Sequence, residues 1–329
     1  MANISIKMAC GPYDRTEPLR DKSVLAEGID LTYDSYQSPQ EVFMQMVTND
    51  DYHLGELSCS FFMTQSSQEE SPFVALPVFP SRSFRHSFVF INKNAGIKTA
   101  ADLKGKRVGV PVFSMTAAVW IRGFLQEDFG VRSEDVEWFE GGLNQPRRPH
   151  VLDGVHPVGK DVTVDAILDT STLSDALEKG KLDAIIGADI PKSFYSGKNV
   201  VRLFLNYHEI EKDYFQRTGV FPIMHTVAMR KKLYGEHPWV AESMYNALLK
   251  AKQEVIGKQL HYKGAQKTML PWQHEAVEEM DALFPDGDPW PSGLERNRNT
   301  LGYLQRHLLD QGLMAQPKPL DDLFLPLNS

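Results

Sequence analysis

The sequence predicts an α/β protein of two lobes, each a mainly parallel sheet flanked by helices, with a cleft between them. Three observations lead there. Stretches of two-residue and of helical apolar periodicity alternate along most of the chain, the pattern that builds parallel sheets. The 329 residues suffice for about two domains, at roughly 150 residues each. The stretch 96–218 reads as an α/β unit set inside another, so residues 1–95 and 219–329 form one discontinuous lobe and 96–218 an inserted second lobe.

Residues 3–10 alternate as a strand that ends in "CGPYDR", and "IDLTY" at 29–33 reads as a second strand. Ser38 then caps a helix, with Pro39 at its first position and Glu41 three residues on; Val42, Met46 and Val47 give it an apolar stripe. A short strand runs into "ELSCS", and an apolar alternating strand is expected at 86–92. The inserted unit opens with a helix in "TAADLK", a tight turn, the strand "RVGV" and a long helix at 116–128. "EDVEWFEGG" is a strand, and 141–160, rich in Gly, Pro and basic residues, is a long loop. "TSTLSDALEKGKLDAIIGADIP" is a capped helix, a glycine turn and a buried strand. From about 219 the chain returns to the first lobe, and helices follow at 238–256, 271–283 and 299–311. Two crossing segments, near 86–95 and 219–228, then join the lobes. The second carries "FPIMHTVAMR", which threads His225 through an apolar run beside the cleft, where ligands of such folds bind.

Bulk composition excludes several classes. The net charge of −8 disfavours a nucleic-acid partner, which needs a basic face. No apolar run approaches a membrane span, and the start "MANISIKMAC" lacks the features of a secretory leader, so a cytoplasmic location is expected. Two cysteines, Cys10 and Cys59, are too few for a disulfide framework.

Taken together, "CGPYDRT", "GIDLTY", "FPSRSFRHSFVFIN", "LKGKRVGVP…MTAAVWIRGFLQEDFGV", "FPIMHTVAMR", "HPWVA" and "DPWPSGLERNRNTL" resemble the 4,5-dihydroxyphthalate decarboxylase family, from Ala9 to about Gly312. The resemblance implies a type II periplasmic-binding-protein-like fold that serves as a cytoplasmic enzyme of aromatic degradation. Two loops depart from the family pattern. Val112-Phe113-Ser114 stands where members carry Glu-Tyr-Gln, and Cys59-Ser60-Phe61-Phe62 replaces a Ser-rich run. Both loops are expected to line the cleft, which would then suit a less hydroxylated aromatic acid.

Loss of CO2 from a hydroxylated benzoate is easiest after a proton reaches the ring carbon bearing the carboxylate. Such a site needs an acid aimed at the ring, a group to polarise the phenol and cations for the carboxylates. His225 is the first candidate acid; its plain alternative is a core histidine. His86 follows Arg82 and Arg85 in "SRSFRHS", where guanidinium forks suit carboxylates unless the stretch is a solvated basic turn. Asp14 and Arg15 lie just after the first strand, either at an anion seat or as an ordinary cap and surface charge. Glu56 is a candidate to orient a histidine or take a phenol proton, with Ser58 beside it. Thr116, as helix cap with Ser114 before it, offers amide groups to a carboxylate, as do Thr170–Thr172. Arg122 and Arg296, with Arg298, are weaker candidates that read equally well as structural. His150 and His156, with Arg147 and Arg148, show no metal-site spacing, and neither "GGLNQ" nor "GKRVGV" matches a phosphate-loop or dinucleotide fingerprint. The expectation is a cofactor-independent decarboxylase of a dihydroxyphthalate or a close relative, with no metal-site residues read from the sequence, acting on a small aromatic carboxylate, without nucleic-acid or membrane partners and as a homo-oligomer. The competing reading is a solute-binding protein or sensor for an aromatic carboxylate, since one cleft serves either task.

Overall fold

Alternation in the first strand decides where the first sheet sits. Ile6, Met8 and Cys10 join a buried cluster with Val240, Met244, Tyr245 and Leu248, while Ala9 faces a second cluster with Val42 and Met46. The sheet is therefore covered on both faces, by the helices Trp239–Val255 and Pro39–Thr48. The computed structural model describes residues 3–68, 71–148, 151, 153, 155, 157, 160–167, 171–260, 265, 266 and 268–327.

The strands are β1 (Ile4–Cys10), β2 (Ile29–Ser35), β3 (Leu54–Ser58), β4 (Phe73–Arg82), β5 (Val89–Asn92), β6 (Arg107–Val110), β7 (Glu137–Glu140), β8 (Val164–Ala166), β9 (Ala184–Ile186), β10 (Val200–Arg202) and β11 (Ile223–Arg230). They form two mixed sheets, ordered β2-β1-β3-β11-β4 and β10-β5-β9-β6-β7-β8. The parallel pairs are β1 with β2 and β3, β6 with β7 and β9, and β7 with β8. The antiparallel members are the strands on which the chain changes sheets. β5 runs against β9 and β10, and β11 runs against β3 and β4.

Two sequence expectations change here. Val89–Asn92 belongs to the second sheet, so the chain leaves the first sheet between Arg82 and Val89 rather than at 95. The strand expected at 86–92 begins only at Val89, because His86–Phe88 is a turn of 3-10 helix. The longer strand just before it, β4, was hidden by Pro77 and Pro80, residues that argue against a central strand. It tolerates them because it is the sheet edge and because it bulges there. Val227 pairs with Leu76 but His225 with Ser81, so residues 77–80 loop out of the ladder.

The helix Thr116–Phe129 is buried without a break from Thr116 to Leu125. It joins the two halves of the molecule: Trp120 Nε1 donates to the Ile223 carbonyl at 2.8 Å, and one apolar cluster includes Val108 and Val110 of the second sheet together with Leu301, Leu304 and Leu308. Among the described residues no helix is long and apolar enough to cross a membrane.

Candidate active site

Strand periodicity brings the central pair together. β3 and β11 are antiparallel neighbours in which Val227 lies opposite Glu56 and His225 opposite Ser58. Side chains two apart share a face, so Glu56 and His225 point to the same side on adjacent strands. Glu56 Oε1 lies 2.5 Å from His225 Nδ1 and accepts the Tyr13 hydroxyl at 2.6 Å. Its Oε2 accepts the Gly11 N–H at 2.9 Å, with the Cys10 thiol 3.6 Å away. Glu56 is fully buried. Burial alone would push its carboxyl up, but the His225 charge and bond, the Tyr13 hydroxyl and the Gly11 amide together hold it below the usual carboxylate range. The same burial and the neighbouring Glu56 raise the Tyr13 phenol far above its ordinary value, so it stays a donor.

A carboxylate that accepts from Nδ1–H leaves Nε2 as the working nitrogen of the imidazole. Nε2 of His225 makes no bond among the described residues, and 15% of the side chain is exposed. The edge of the ring packs against Phe43, with centroids 4.9 Å apart. The β4 bulge lies beside this histidine. Its backbone is held by Thr226 Oγ1 donating to Leu76 O at 3.2 Å, Gly293 N to Pro77 O at 2.8 Å and Arg15 Nε to Pro80 O at 2.6 Å. Bulges commonly re-aim a side chain beside a site.

Of the candidate arginines, Arg15 meets this pair through Tyr13, and Arg85 reaches Met224, the residue before His225. Arg15 lies over the Tyr13 ring at 4.3 Å and the Trp290 ring at 4.8 Å, and its Nη1 reaches Asp14 at 3.1 Å. Arg85 bonds the sulfur of Met224, next to His225, at 3.2 Å and the Ala188 carbonyl of the second half at 3.2 Å. Burial lowers its guanidinium to about 10, partly opposed by Asp189 and Glu211, so it stays charged at neutral pH. The Nη2 of each arginine has no partner among the described residues.

A buried set of hydroxyls closes the far side. Ser58 Oγ bonds Thr116 Oγ1 at 3.0 Å and Ser60 Oγ at 3.1 Å; the Ser60 amide donates to Thr116 Oγ1 at 3.1 Å, and Ser60 Oγ donates to the Ser114 carbonyl at 2.8 Å. These bonds tie the start of the helix Cys59–Gln68 to the start of the helix Thr116–Phe129. Ser114 Oγ is buried with no hydrogen-bond partner among the described residues.

Comparison with known proteins fixes the family. Residues 25–259 match the family described as NMT1/THI5 like. A 4,5-dihydroxyphthalate decarboxylase of Comamonas testosteroni is 34% identical over 329 residues, covering 100% of this chain and 98% of that protein. One of Pseudomonas putida is 41% identical over 197 residues, covering 60% of this chain and 75% of that one. The chain belongs to the 4,5-dihydroxyphthalate decarboxylase family. Solved structures agree on the fold alone. A protein of Bordetella bronchiseptica RB50 superposes with a TM-score of 0.55 at 15% identity, covering 99% of this chain and 95% of that one. A Candida albicans protein, described as exhibiting the generic periplasmic binding protein structural fold, gives 0.53 at 12% identity, covering 99% and 97%.

Seen as a decarboxylase-family site, the candidates divide. Glu56, His225, Ser58, Ser114 and Thr116 come together, Arg15 joins them through Tyr13 with Asp14 as its exposed partner, and Arg85 reaches only Met224, the residue before His225. His86 does not join them. It is 1% exposed and stacks on Phe124 at 3.9 Å; neither ring nitrogen makes a hydrogen bond among the described residues, Glu211 Oε1 lies 3.8 Å from Nδ1, and burial drives it down to about 4. His86 lies in the turn at 86–88 and not in the strand expected from 86. Arg82 is a structural clamp: it donates to the carbonyls of Phe221 and Pro291 and to the side chain of Asn297. Arg122 lies 3.7 Å above the Phe113 ring and donates to Phe113 O and Gln311 Oε1. Arg296 pairs with Asp286 and Asp288, and Arg298 with Glu295 and Asp321. Thr172 spends its hydroxyl as a cap, accepting from Asp175 N at 3.1 Å. Thr170, His150 and His156 lie outside the described residues.

Thr116 is not the cap expected of it. Met115 occupies that position, and the threonine hydroxyl turns to Ser58 and Ser60. Phe113 does not line the site either, since its ring lies between Arg122 and Trp138 inside the second half. Of the departures from the family pattern at this loop, Val112 and Phe113 therefore fill a core, and only Ser114 joins the hydroxyl set. Sequence reasoning gave Tyr13 no role and placed Ser60 only in a loop expected to line the cleft. "GPYDR" placed an aromatic residue directly after a strand end, which was the available signal for the first.

Proposed function

We propose that the protein decarboxylates a hydroxylated aromatic dicarboxylate such as 4,5-dihydroxyphthalate, non-oxidatively, by ring protonation followed by CO2 loss. The observation that carries this reading is the His225 imidazole, bound at Nδ1 by buried Glu56 and unpartnered at Nε2. The two relatives named as decarboxylases of that compound support the substrate class. In 4,5-dihydroxyphthalate each carboxylate-bearing carbon has a hydroxyl para to it, which feeds electrons to the carbon that takes the proton. His225 Nε2–H gives that proton, with Glu56 as counter-charge to the imidazolium. The ring–carboxylate bond then breaks, CO2 leaves, and its electron pair restores the aromatic ring. His225 regains a proton from solvent, so one proton is consumed per CO2. Arg15 and Arg85 hold the carboxylates through their free Nη2 groups, and Ser58, Ser114 and Thr116 bond the ring substituents.

The test is turnover of 4,5-dihydroxyphthalate by purified protein in D2O. CO2 release with one deuterium at the vacated carbon, lost in His225→Gln, is expected. Tight binding of the same acid without CO2 would replace the enzyme with a binding protein. The reading includes a cytoplasmic location, supported by Cys10 and Cys59 being free and buried, as in a compartment that keeps thiols reduced. It also includes self-association, supported by the exposed apolar side chains of Met269, Leu270 and Trp272. Fractionation and sedimentation test these two points.

A further inference from the structure

The fold spends several interactions on holding a residue with no assigned part in the reaction. Tyr13 lies in the turn after β1. Gly11 makes room for its ring: a Cβ on Gly11 would come within 2.7 Å of the Tyr13 ring. The turn is pinned from beneath, with Tyr33 donating to the Gly11 carbonyl at 2.8 Å and lying 2.9 Å from Thr16 Oγ1. Arg15 covers the ring from the other side. The phenol is thereby aimed at Glu56 Oε1, the same oxygen that meets His225.

We propose that Tyr13 is a positioning residue that acts through Glu56, sharing Oε1 with His225 and so setting how strongly the carboxylate holds the imidazolium proton. This rests on the decarboxylase reading for its meaning but not for its test. An oxygen that accepts two donors offers each less charge than it would offer one. Without the phenol, Oε1 turns its full charge on His225 and makes the imidazolium a more reluctant acid, which slows proton transfer. The other groups around the pair do not supply this effect. Cys10 and Gly11 meet the opposite oxygen, Oε2. Phe43 from the helix Pro39–Thr48, Ser58 and Ser81 from the flanking strands, and Trp120 and Thr116 from the helix Thr116–Phe129 are neutral. The charges nearby, Arg15, Arg82 and Arg85, remain when Tyr13 is changed.

The experiment is a titration of the His225 ring by nitrogen-resolved NMR in the substrate-free protein, for the native chain, Tyr13→Phe, and the chain with 3-fluorotyrosine at position 13. Tyr13→Phe is expected to move the His225 midpoint up by about half to one pH unit. The fluorinated phenol, a stronger donor, is expected to move it down. The alkaline limb of kcat/KM on 4,5-dihydroxyphthalate should follow the same order, with KM changed less than about twofold and kcat of Tyr13→Phe reduced about three- to tenfold. Identical midpoints in all three proteins, or a downward move in Tyr13→Phe, overturn the proposal. Midpoints that move as expected in a protein without turnover uphold it while removing the decarboxylase reading.

Discussion

Replacing Glu56 with glutamine tests the centre of the site with one atom. The carboxylate accepts at both oxygens: the Tyr13 hydroxyl and the imidazole at Oε1, the Gly11 amide at Oε2. An amide of the same shape accepts at one end and donates at the other. With its nitrogen towards Gly11, two N–H donors face each other. With its nitrogen towards His225, the ring must take the other tautomer to accept at Nδ1. In either orientation the imidazolium loses its counter-charge. A hydrogen bond to a charged group contributes about 1.5–3 kcal/mol, and about 1.4 kcal/mol is tenfold in rate, so kcat should fall by about one to two orders of magnitude with little change in KM. Stability should fall by about 1–3 kcal/mol for the strained buried contact. The pH dependence of stability supplies a second readout. Glu56 lies below its ordinary 4.5 when folded, so its contribution is complete above pH 4.5 and is lost as pH falls through the folded value. Glu56→Gln should remove that component of acid unfolding. Stopped assays of CO2 release and urea melts between pH 3 and 7 measure both. A variant with native kcat and a native acid-unfolding profile refutes the assigned role of this carboxylate.

The remaining predictions concern three further side chains that the sequence marked as candidates. His86 is held at about 4 when folded against 6.5 ordinarily, so the unfolded chain takes up its proton first and stability falls by about 3 kcal/mol as pH drops from 6.5 to 4; His86→Phe should flatten that window in urea melts while kcat is retained. Arg122→Met removes the donor to Phe113 O and Gln311 Oε1 and should cost about 1–3 kcal/mol in stability, read as a lower Tm, with KM unchanged. Arg85→Gln keeps a polar side chain but loses the charge facing the site, and should raise KM about tenfold or more, consistent with about 1.5–3 kcal/mol for a charge-assisted bond.

Most of the order of elements was legible because apolar periodicity is local. "ISIKMAC" alternates with a period of two, and "TAAVWIRGFLQEDF" is a helix bounded by a loop and Gly130; both are found where the pattern puts them. β4 was not legible, because its two prolines are acceptable only at a sheet edge with a bulge, and neither edge nor bulge is a local property. The pairing of Glu56 with His225 shows the same division. Their residue types marked them as candidates, yet they stand 169 positions apart and meet only because β11 returns antiparallel beside β3.

Residue chemistry and periodicity, read along the chain, thus determined the α/β class and the set of polar candidates, and the resemblance of its motifs gave the family. Tertiary structure alone decided which of them act together. It separated Arg85, whose Nη2 stays free among the described residues, from Arg82, whose Nη1 and Nη2 are spent on carbonyls and Asn297. It withdrew His86 into an aromatic core and brought Tyr13 onto Glu56. The physical reason is range. Strand and helix preferences act over a few residues, whereas a proton affinity depends on whatever charge and burial the fold brings within a few ångströms.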